Sequence, residues 1–140
     1  MFFLLAFLSL FPSHYTPTRS AAKVALTVDA QNIHTKKGAV YFALFKSTDD
    51  FPTGKPSEGK KMNATGERVQ TTFSVEPGAY AIAIFHDENG NGQMDKKIFG
   101  IPKEPYGFSN NFRPKMSAPK FKDCEFTVSS AAKTISIKLE

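Results

Sequence analysis

A polar, glycine-rich loop contains the residues whose types and spacing could do chemistry. It reads HDENGNGQMD from His86 to Asp95. Side chains with oxygen atoms recur at alternate positions, and a glycine falls at the sixth place counted from Asp87. Ca²⁺ takes six to eight oxygen ligands at about 2.3–2.6 Å, and alternate residues of a tight loop can point towards one ion. The spacing therefore predicts a calcium site formed by Asp87, Asn89, Asn91, Gln93 and Asp95.

The match to a calcium loop is incomplete. The twelfth position, where a bidentate glutamate normally binds, is Ile98. Only two carboxylates, Asp87 and Asp95, lie at ligand positions of the loop, which predicts weak affinity, in the millimolar range of extracellular modules. Glu88 and Glu104 could substitute for the missing glutamate, although the spacing does not place them. The alternative is that Asp, Asn and Gly build successive turns without an ion. Both interpretations stay open, and the ligand count favours the turns.

The segment after this loop, FGIPKEPYGFSNNFRP from Phe99 to Pro114, is dense in proline, glycine and aromatic residues. A long and well-specified loop often has a function, although it can equally cap a sheet edge. We predict one binding surface from His86 to Asn111. Its candidate residues are His86, Glu104, Tyr106, Phe108, Ser109 and Asn110.

Catalysis has little support in the sequence, and we predict no catalytic residue. His86 beside Asp87 or Glu104 could serve as a general base, but a lone histidine at a strand end is usually a hydrogen-bonding residue. Motifs for a serine nucleophile, a phosphate loop and a zinc protease are absent. Cys124 is the single cysteine, and its strand-like context FKDCEFTV predicts a small buried hydrophobic residue.

Strand patterns dominate the regions that must position these residues. Apolar residues alternate or run together in Lys23–Ile33, Ala39–Phe45, Arg68–Val75, Ala79–Phe85 and two C-terminal segments, CEFTVSS and KTISIKL. Glu76-Pro77-Gly78 predicts a tight turn that pairs its two flanking strands as a hairpin. Residues 47–68 read as a long loop. The pattern predicts an all-β, antiparallel β-sandwich of about seven strands, with long loops on one side.

Length and charge narrow the functional class. The chain of 140 residues carries a formal charge of +5, and its closest basic clusters are only pairs, Lys60-Lys61 and Lys96-Lys97. Nucleic-acid binding needs a denser basic patch, so we exclude it.

Residues 1–22 are expected to be a signal peptide, because an apolar run of about eleven residues precedes Pro12. An N-terminal anchor or strand is the alternative. Residues 23–140 then form one domain that is exported, periplasmic or secreted, without a later membrane span.

The stretch PGAYAIAIFHDENGNGQMD, followed by GIPKEPYGFSN and APKFKDCEF, resembles a bacterial family of exported proteins known as domain of unknown function 2141. The resemblance extends from about Val24 to Leu139. It implies export and a compact β domain, similar in outline to transthyretin-like or immunoglobulin-like sandwiches, and it supplies no reaction. The motif positions are His86, Asp87, Asn89, Asn91, Gly92, Asp95, Gly100, Pro102, Glu104, Tyr106, Gly107, Phe108, Ser109 and Asn110.

Three functions remain open from the sequence. The first is an exported binding or accessory module, expected to be a monomer, whose loop surface meets a protein, a glycan or a small-molecule ligand. The second is a structural envelope or adhesion domain, in which the loop only stiffens the fold. The third, least supported, is a small hydrolase that uses His86.

Overall fold

A computed structural model describes residues 15–93 and 103–140 of the chain. The regular elements of these two segments are almost all strands, which hydrophobic alternation and branched or aromatic residues favour. The strands are β1 (Val24–Gln31), β2 (Ala39–Phe45), β3 (Glu58–Asn63), β4 (Arg68–Val75), β5 (Gly78–Asp87), β6 (Tyr106–Phe108), β7 (Phe126–Val128) and β8 (Lys133–Lys138). A 3-10 turn (Ser109–Asn111) and one short helix, α1 (Phe121–Cys124), complete the elements of the described segments.

The strands form two sheets. The smaller sheet has the order β4-β1-β8, with β1 antiparallel to β4 and parallel to β8. The larger has five strands in the order β3-β2-β5-β6, and β7 pairs with the first residues of β5. All pairings in the larger sheet are antiparallel. The all-β sandwich class is thus confirmed, with eight strands in the described residues rather than about seven.

One hydrophobic core lies between the two sheets. Alternate residues of β4 are buried, and the apolar residues of β1 alternate in the same way, since Leu26, Val28 and Ala30 have no exposed surface. β2 and β5 contribute from the opposite side. Since successive side chains of a strand point to opposite faces, this alternation fixes which face of each strand looks inward. The outer face of β5 is therefore the one that includes Ala81, Ala83 and Phe85.

A second hydrophobic cluster covers part of that outer face. Its fully or nearly fully buried members are Ala81, Phe108 and Cys124, and partly buried aromatic residues pack against them. Burial, together with the nearby Asp123 charge, raises the pKa of the Cys124 thiol to about 12. The predicted burial of Cys124 is confirmed. Its predicted strand is wrong, because Cys124 ends α1 and β7 begins only at Phe126.

Two further expectations about the strands are wrong. Residues 68–75 and 79–85 do not form a hairpin, because β4 pairs with β1 in the small sheet while β5 pairs with β2 in the large one. The bend at Glu76-Pro77 instead carries the chain across the core. The expected loop at residues 47–68 contains the exposed edge strand β3, which pairs with β2.

The structure describes the last part of the expected signal peptide, residues 15–22. Residues 15–22 are exposed and have no regular structure, and Ser20 Oγ donates a hydrogen bond of 2.9 Å to Glu76 Oε1. Residues 1–14 of that expectation lie outside the described residues. Within the described residues, no helix combines the length and the apolar character needed to cross a membrane.

Candidate functional site

The candidate loop begins where β5 ends, at one end of the sandwich. His86 and Asp87 are the last two residues of β5, and they lie opposite Val40 and Ala39 of β2. Because neighbouring residues of a strand point to opposite faces, His86 follows Ile84 into the core side and Asp87 follows Phe85 to the outer side. The two side chains therefore do not form an acid–base pair, and this geometry does not support the hydrolase hypothesis.

His86 is a buried, hydrogen-bonded residue with no exposed surface. Its Nε2 lies 2.7 Å from the Lys37 carbonyl oxygen, which can only accept, so the Nε2–H donates this hydrogen bond. Its backbone N–H donates to the Pro105 carbonyl at 2.9 Å. Nδ1 lies 3.8 Å from Glu88 Oε1. The side chain thus joins the β1–β2 connection to the candidate loop.

Asp87 organises the first half of the loop. It has no exposed surface, and its two carboxylate oxygens accept backbone N–H bonds from Gly90 at 3.0 Å and from Gly92 at 2.8 Å. Both glycines have positive φ, 72° and 76°, which bends the loop back over the carboxylate. No lysine, arginine or histidine among residues 15–93 and 103–140 forms an ion pair with Asp87. Among those residues, the hydrogen bonds to its carboxylate come from neutral backbone N–H groups.

The other predicted ligands continue this turn chemistry. Asn89 Oδ1 accepts the N–H of Asn91 at 3.1 Å, and Asn91 Oδ1 accepts the N–H of Gln93 at 2.9 Å. All three side chains are exposed, in contrast to Asp87. Asp95 lies outside the described residues. In the segments that the structure covers, no group of three or more His, Cys, Asp or Glu side chains is arranged to hold a metal ion.

The predicted residues in the second half of the His86–Asn111 surface lie in β6 or next to it. Glu104 is buried, and Tyr106 and Phe108 pair with Phe85 and Ala83 of β5. The C-terminal Glu140 exchanges two backbone hydrogen bonds with Tyr106, at 3.1 and 3.0 Å. β6 is therefore held on one side by β5 and on the other by the last residue of the chain.

Ser109 and Asn110 fasten this half to α1. Ser109 has no exposed surface, and its Oγ donates to the Cys124 carbonyl at 2.5 Å and accepts the Ile82 N–H at 3.0 Å. Asn110 is exposed, and its Nδ2 donates to the Glu125 carbonyl at 2.9 Å. Both side chains thus make structural contacts, as His86 does, while Tyr106 remains half-buried on the outer face.

Sequence reasoning included Tyr106 in the candidate surface but missed the two aromatic residues beside it, Tyr41 and Phe85. Tyr41, Phe85 and Tyr106 are paired across β2, β5 and β6, so they form one row on the outer face, and each is half-buried. The rings of Tyr41 and Phe85 stack with centroids 4.9 Å apart, and Lys61 Nζ lies 5.6 Å from the Tyr41 centroid. A side chain added at Gly92 would come within 3.8 Å of the Tyr41 hydroxyl. We call these three residues the aromatic row.

Comparison with known families decides where the chain belongs. A model of an uncharacterized protein family conserved in bacteria, domain of unknown function 2141, matches residues 28–136, more than three-quarters of the chain. The chain belongs to this family. Searches of curated proteins and of solved structures return no match. The resemblance stated from the motif is thereby confirmed.

Membership in family 2141 spans most of the sandwich, from β1 to β8, and not only the loop. The motif positions that the structure describes have clear physical roles. Gly107 of β6 is one: a Cβ there would lie 2.8 Å from Ile137 Cγ2 and 3.0 Å from the Lys138 carbonyl. Gly100 and Pro102 lie outside the described residues. The sequence shows Tyr41 and Phe85 within the apolar patterns of β2 and β5. That they are neighbours becomes clear only when the two strands are paired.

Proposed function

We propose that this chain is an exported binding module of the bacterial cell envelope, which uses the aromatic row and the adjoining loop as its ligand surface. The observation that carries the proposal is the aromatic row itself. Three half-buried rings lie side by side on the outer face of a sheet, next to a polar loop and a lysine. Partly exposed aromatic residues are costly to leave without a partner and are enriched at binding surfaces.

The proposal includes a calcium ion at the loop. Among the described residues, the fully buried Asp87 carboxylate is hydrogen-bonded by neutral N–H groups, and a cation bound at the loop would offset the cost of burying a negative charge. Among the described residues, each Asp87 oxygen accepts one N–H bond, and a carboxylate oxygen has a second lone pair that can bind a metal. The exposed amides of Asn89 and Asn91 supply further oxygen atoms of the kind that calcium prefers.

Thermal unfolding tests the calcium part. With a dissociation constant near 1 mM, 10 mM CaCl₂ should stabilise the native state by about 1.4 kcal/mol, which raises Tm by about 5 °C relative to a chelator. MgCl₂ at the same concentration controls for ionic strength, and Asp87→Asn should abolish the shift. An equal Tm in calcium and in chelator would remove the ion from the proposal.

Binding assays test the proposed ligand surface, and a reporter fusion tests export. The probes are a panel of soluble envelope polysaccharides and small molecules, together with cross-linking to envelope proteins. Tyr41→Ala should lower retention at least tenfold, whereas Met116→Ala, at a side chain that is 99% exposed, should not. Fusion of residues 1–30 to an alkaline phosphatase that is active only outside the cytoplasm tests export. Equal retention of the wild type and Tyr41→Ala would contradict the role of the surface.

A structural envelope or adhesion domain is the second candidate. It is favoured by the completed hydrogen bonding of Asp87 to Gly90 and Gly92, which organises the turn without an ion. On this alternative, calcium has no effect on Tm, and substitution of Asp87 lowers stability without any change in binding.

A further inference from the structure

A polar cleft of about 490 Å³ lies at the end of the small sheet, where β1 ends and β4 begins. Its lining comes from the last residue of β1, the three residues that follow, the start of β4 and the end of β8. None of these residues belongs to the Asp87 loop or to the aromatic row. The volume is within the range of small-molecule sites in proteins, about 300–1,000 Å³.

Three side chains with hydrogen-bond donors form one wall of the cleft, and all three lie on the small sheet. Gln31 of β1 is paired with Arg68 of β4 on one side and with Lys138 of β8 on the other. Paired residues point to the same face, and Gln31 follows Asp29 on the outer face of the sheet. With strands about 4.8 Å apart, the guanidinium, amide and ammonium groups are spread over roughly 10 Å.

A buried carboxylate fixes two of these donors. Asp29 has no exposed surface, forms an ion pair with the Arg68 guanidinium and accepts a hydrogen bond of 2.8 Å from Gln31 Nε2. Burial by itself raises the pKa of Asp29, but the hydrogen bonds from Arg68 and Gln31 outweigh it and lower the pKa below its ordinary value. Asp29 therefore stays ionised at neutral pH and holds both side chains in one orientation.

The opposite wall is also held in place. Asn32 adopts a left-handed backbone conformation, with φ of 67°, and its Nδ2 donates to the Leu139 carbonyl at 2.7 Å. The Ile33 N–H donates to the Glu67 carbonyl at 3.1 Å. These bonds leave the exposed side chains of His34 and Glu67 on the cleft lining. The cleft thus combines the fixed Arg68 guanidinium and the exposed Lys138 with polar and acidic groups that suit hydroxyls.

We propose that this cleft binds a small ligand that carries both an oxyanion and several hydroxyl groups, the chemistry of an acidic sugar. Arg68 and Lys138 receive the oxyanion, because a guanidinium already oriented by a carboxylate presents its remaining N–H groups without reorganisation. Gln31, His34 and Glu67 donate to or accept from the hydroxyls. This inference goes beyond the proposed function, since it needs neither calcium nor the aromatic row.

Calorimetric titration of the full chain in a chelator tests the cleft. The probes are glucuronate and glucose 6-phosphate, which distinguish a carboxylate from a phosphate, with glucose and inorganic phosphate as controls. At least one acidic sugar should bind with a Kd of about 1 mM or below, the value expected for a ligand of that size. Glucose and inorganic phosphate should each bind at least tenfold more weakly.

Matched lysine variants locate the site. Lys138 is exposed, so Lys138→Ala should fold normally and weaken binding of the acidic sugar fivefold or more. Lys122→Ala removes the same charge from α1 and should leave binding unchanged. Arg68→Lys keeps the charge but loses the planar fork, and should also weaken binding. Absence of binding by both acidic sugars, or an equal effect of Lys138→Ala and Lys122→Ala, would overturn the proposal. Tyr41→Ala should not alter this binding, so failure here is distinct from failure of the aromatic surface.

Discussion

Asp87 illustrates how much one buried carboxylate contributes to the loop. Replacement by alanine removes the acceptors for Gly90 and Gly92 and leaves two N–H groups to find water. We expect Asp87→Ala to cost about 1–3 kcal/mol in urea unfolding, even in a chelator. Asn89→Ala, which removes an exposed acceptor, is the matched control and should cost less. Equal costs for the two variants would mean that burial of Asp87 adds nothing.

Asp29 predicts a pH dependence with a defined sign. Its folded pKa lies below the ordinary value of 3.8, so its contribution to stability is complete above about pH 4. The contribution is lost as the pH falls through the folded pKa, because protonation weakens the pairing with Arg68. The stability difference between the wild type and Asp29→Asn should therefore be constant from pH 5 to pH 7 and shrink below pH 4. Urea midpoints across this range would check it, and a difference that grows in acid would contradict it.

Cys124 predicts a thiol that does not react in the folded state. A pKa of about 12 and complete burial leave almost no accessible thiolate at pH 8. A disulfide reagent should label the thiol only as the protein unfolds in urea, with a midpoint that matches the loss of circular dichroism. Rapid labelling without denaturant would show that α1 opens readily.

At the scale of elements, the β1–β2 connection meets the end of β5 with no room for a side chain. Gly38 has φ of 67°, and a Cβ there would lie 1.8 Å from the Asp87 carbonyl oxygen. Gly38→Ala should destabilise the protein by more than about 2 kcal/mol, because both conformation and contact oppose the methyl group. At Gly66 an added Cβ meets nothing within 4 Å, so Gly66→Ala should be close to neutral. Similar unfolding midpoints for the two variants would contradict this packing.

Elements were predictable from the sequence where burial leaves a periodic pattern. β2 has the bounds of its apolar run, and β4 has the bounds of its alternating pattern, because the inner face of each strand needs apolar residues. β3 was missed because EGKKMN is polar on both faces, and only pairing with β2 makes it a strand. The hairpin was wrong for a related reason: the residues at Glu76-Pro77 specify a bend but not the sheet that the chain joins afterwards.

The candidate sites also differ in whether the sequence alone reveals them. Local spacing revealed the turns of the Asp87 loop, since their bonds join residues two to five positions apart. The cleft was invisible, because Gln31, Arg68 and Lys138 are neighbours only through the strand pairing of the small sheet. The aromatic row depends likewise on the register of β2, β5 and β6.

For the whole molecule, a single core between the sheets predicts one cooperative transition. Ile137 of β8 is fully buried in that core, so Ile137→Ala should cost about 2–5 kcal/mol. Circular dichroism and tyrosine fluorescence should report the same midpoint in the wild type and in the variant, since both sheets lose their packing together. Ile137→Val, which removes one methylene, should cost about 1 kcal/mol. Two separate transitions would mean that the sheets unfold independently.

The parallel pairing of β8 with β1 has a consequence for the order of events during biosynthesis. β1 is near the beginning of the chain, yet one of its two neighbours is formed by residues 133–138. The small sheet cannot close until residues 133–138 have left the ribosome, and pairings over such sequence distances form slowly. A nascent chain that stays open for that time keeps the unfolded form that a secretion channel requires. For an exported protein, the strand order itself would delay folding until transport is finished.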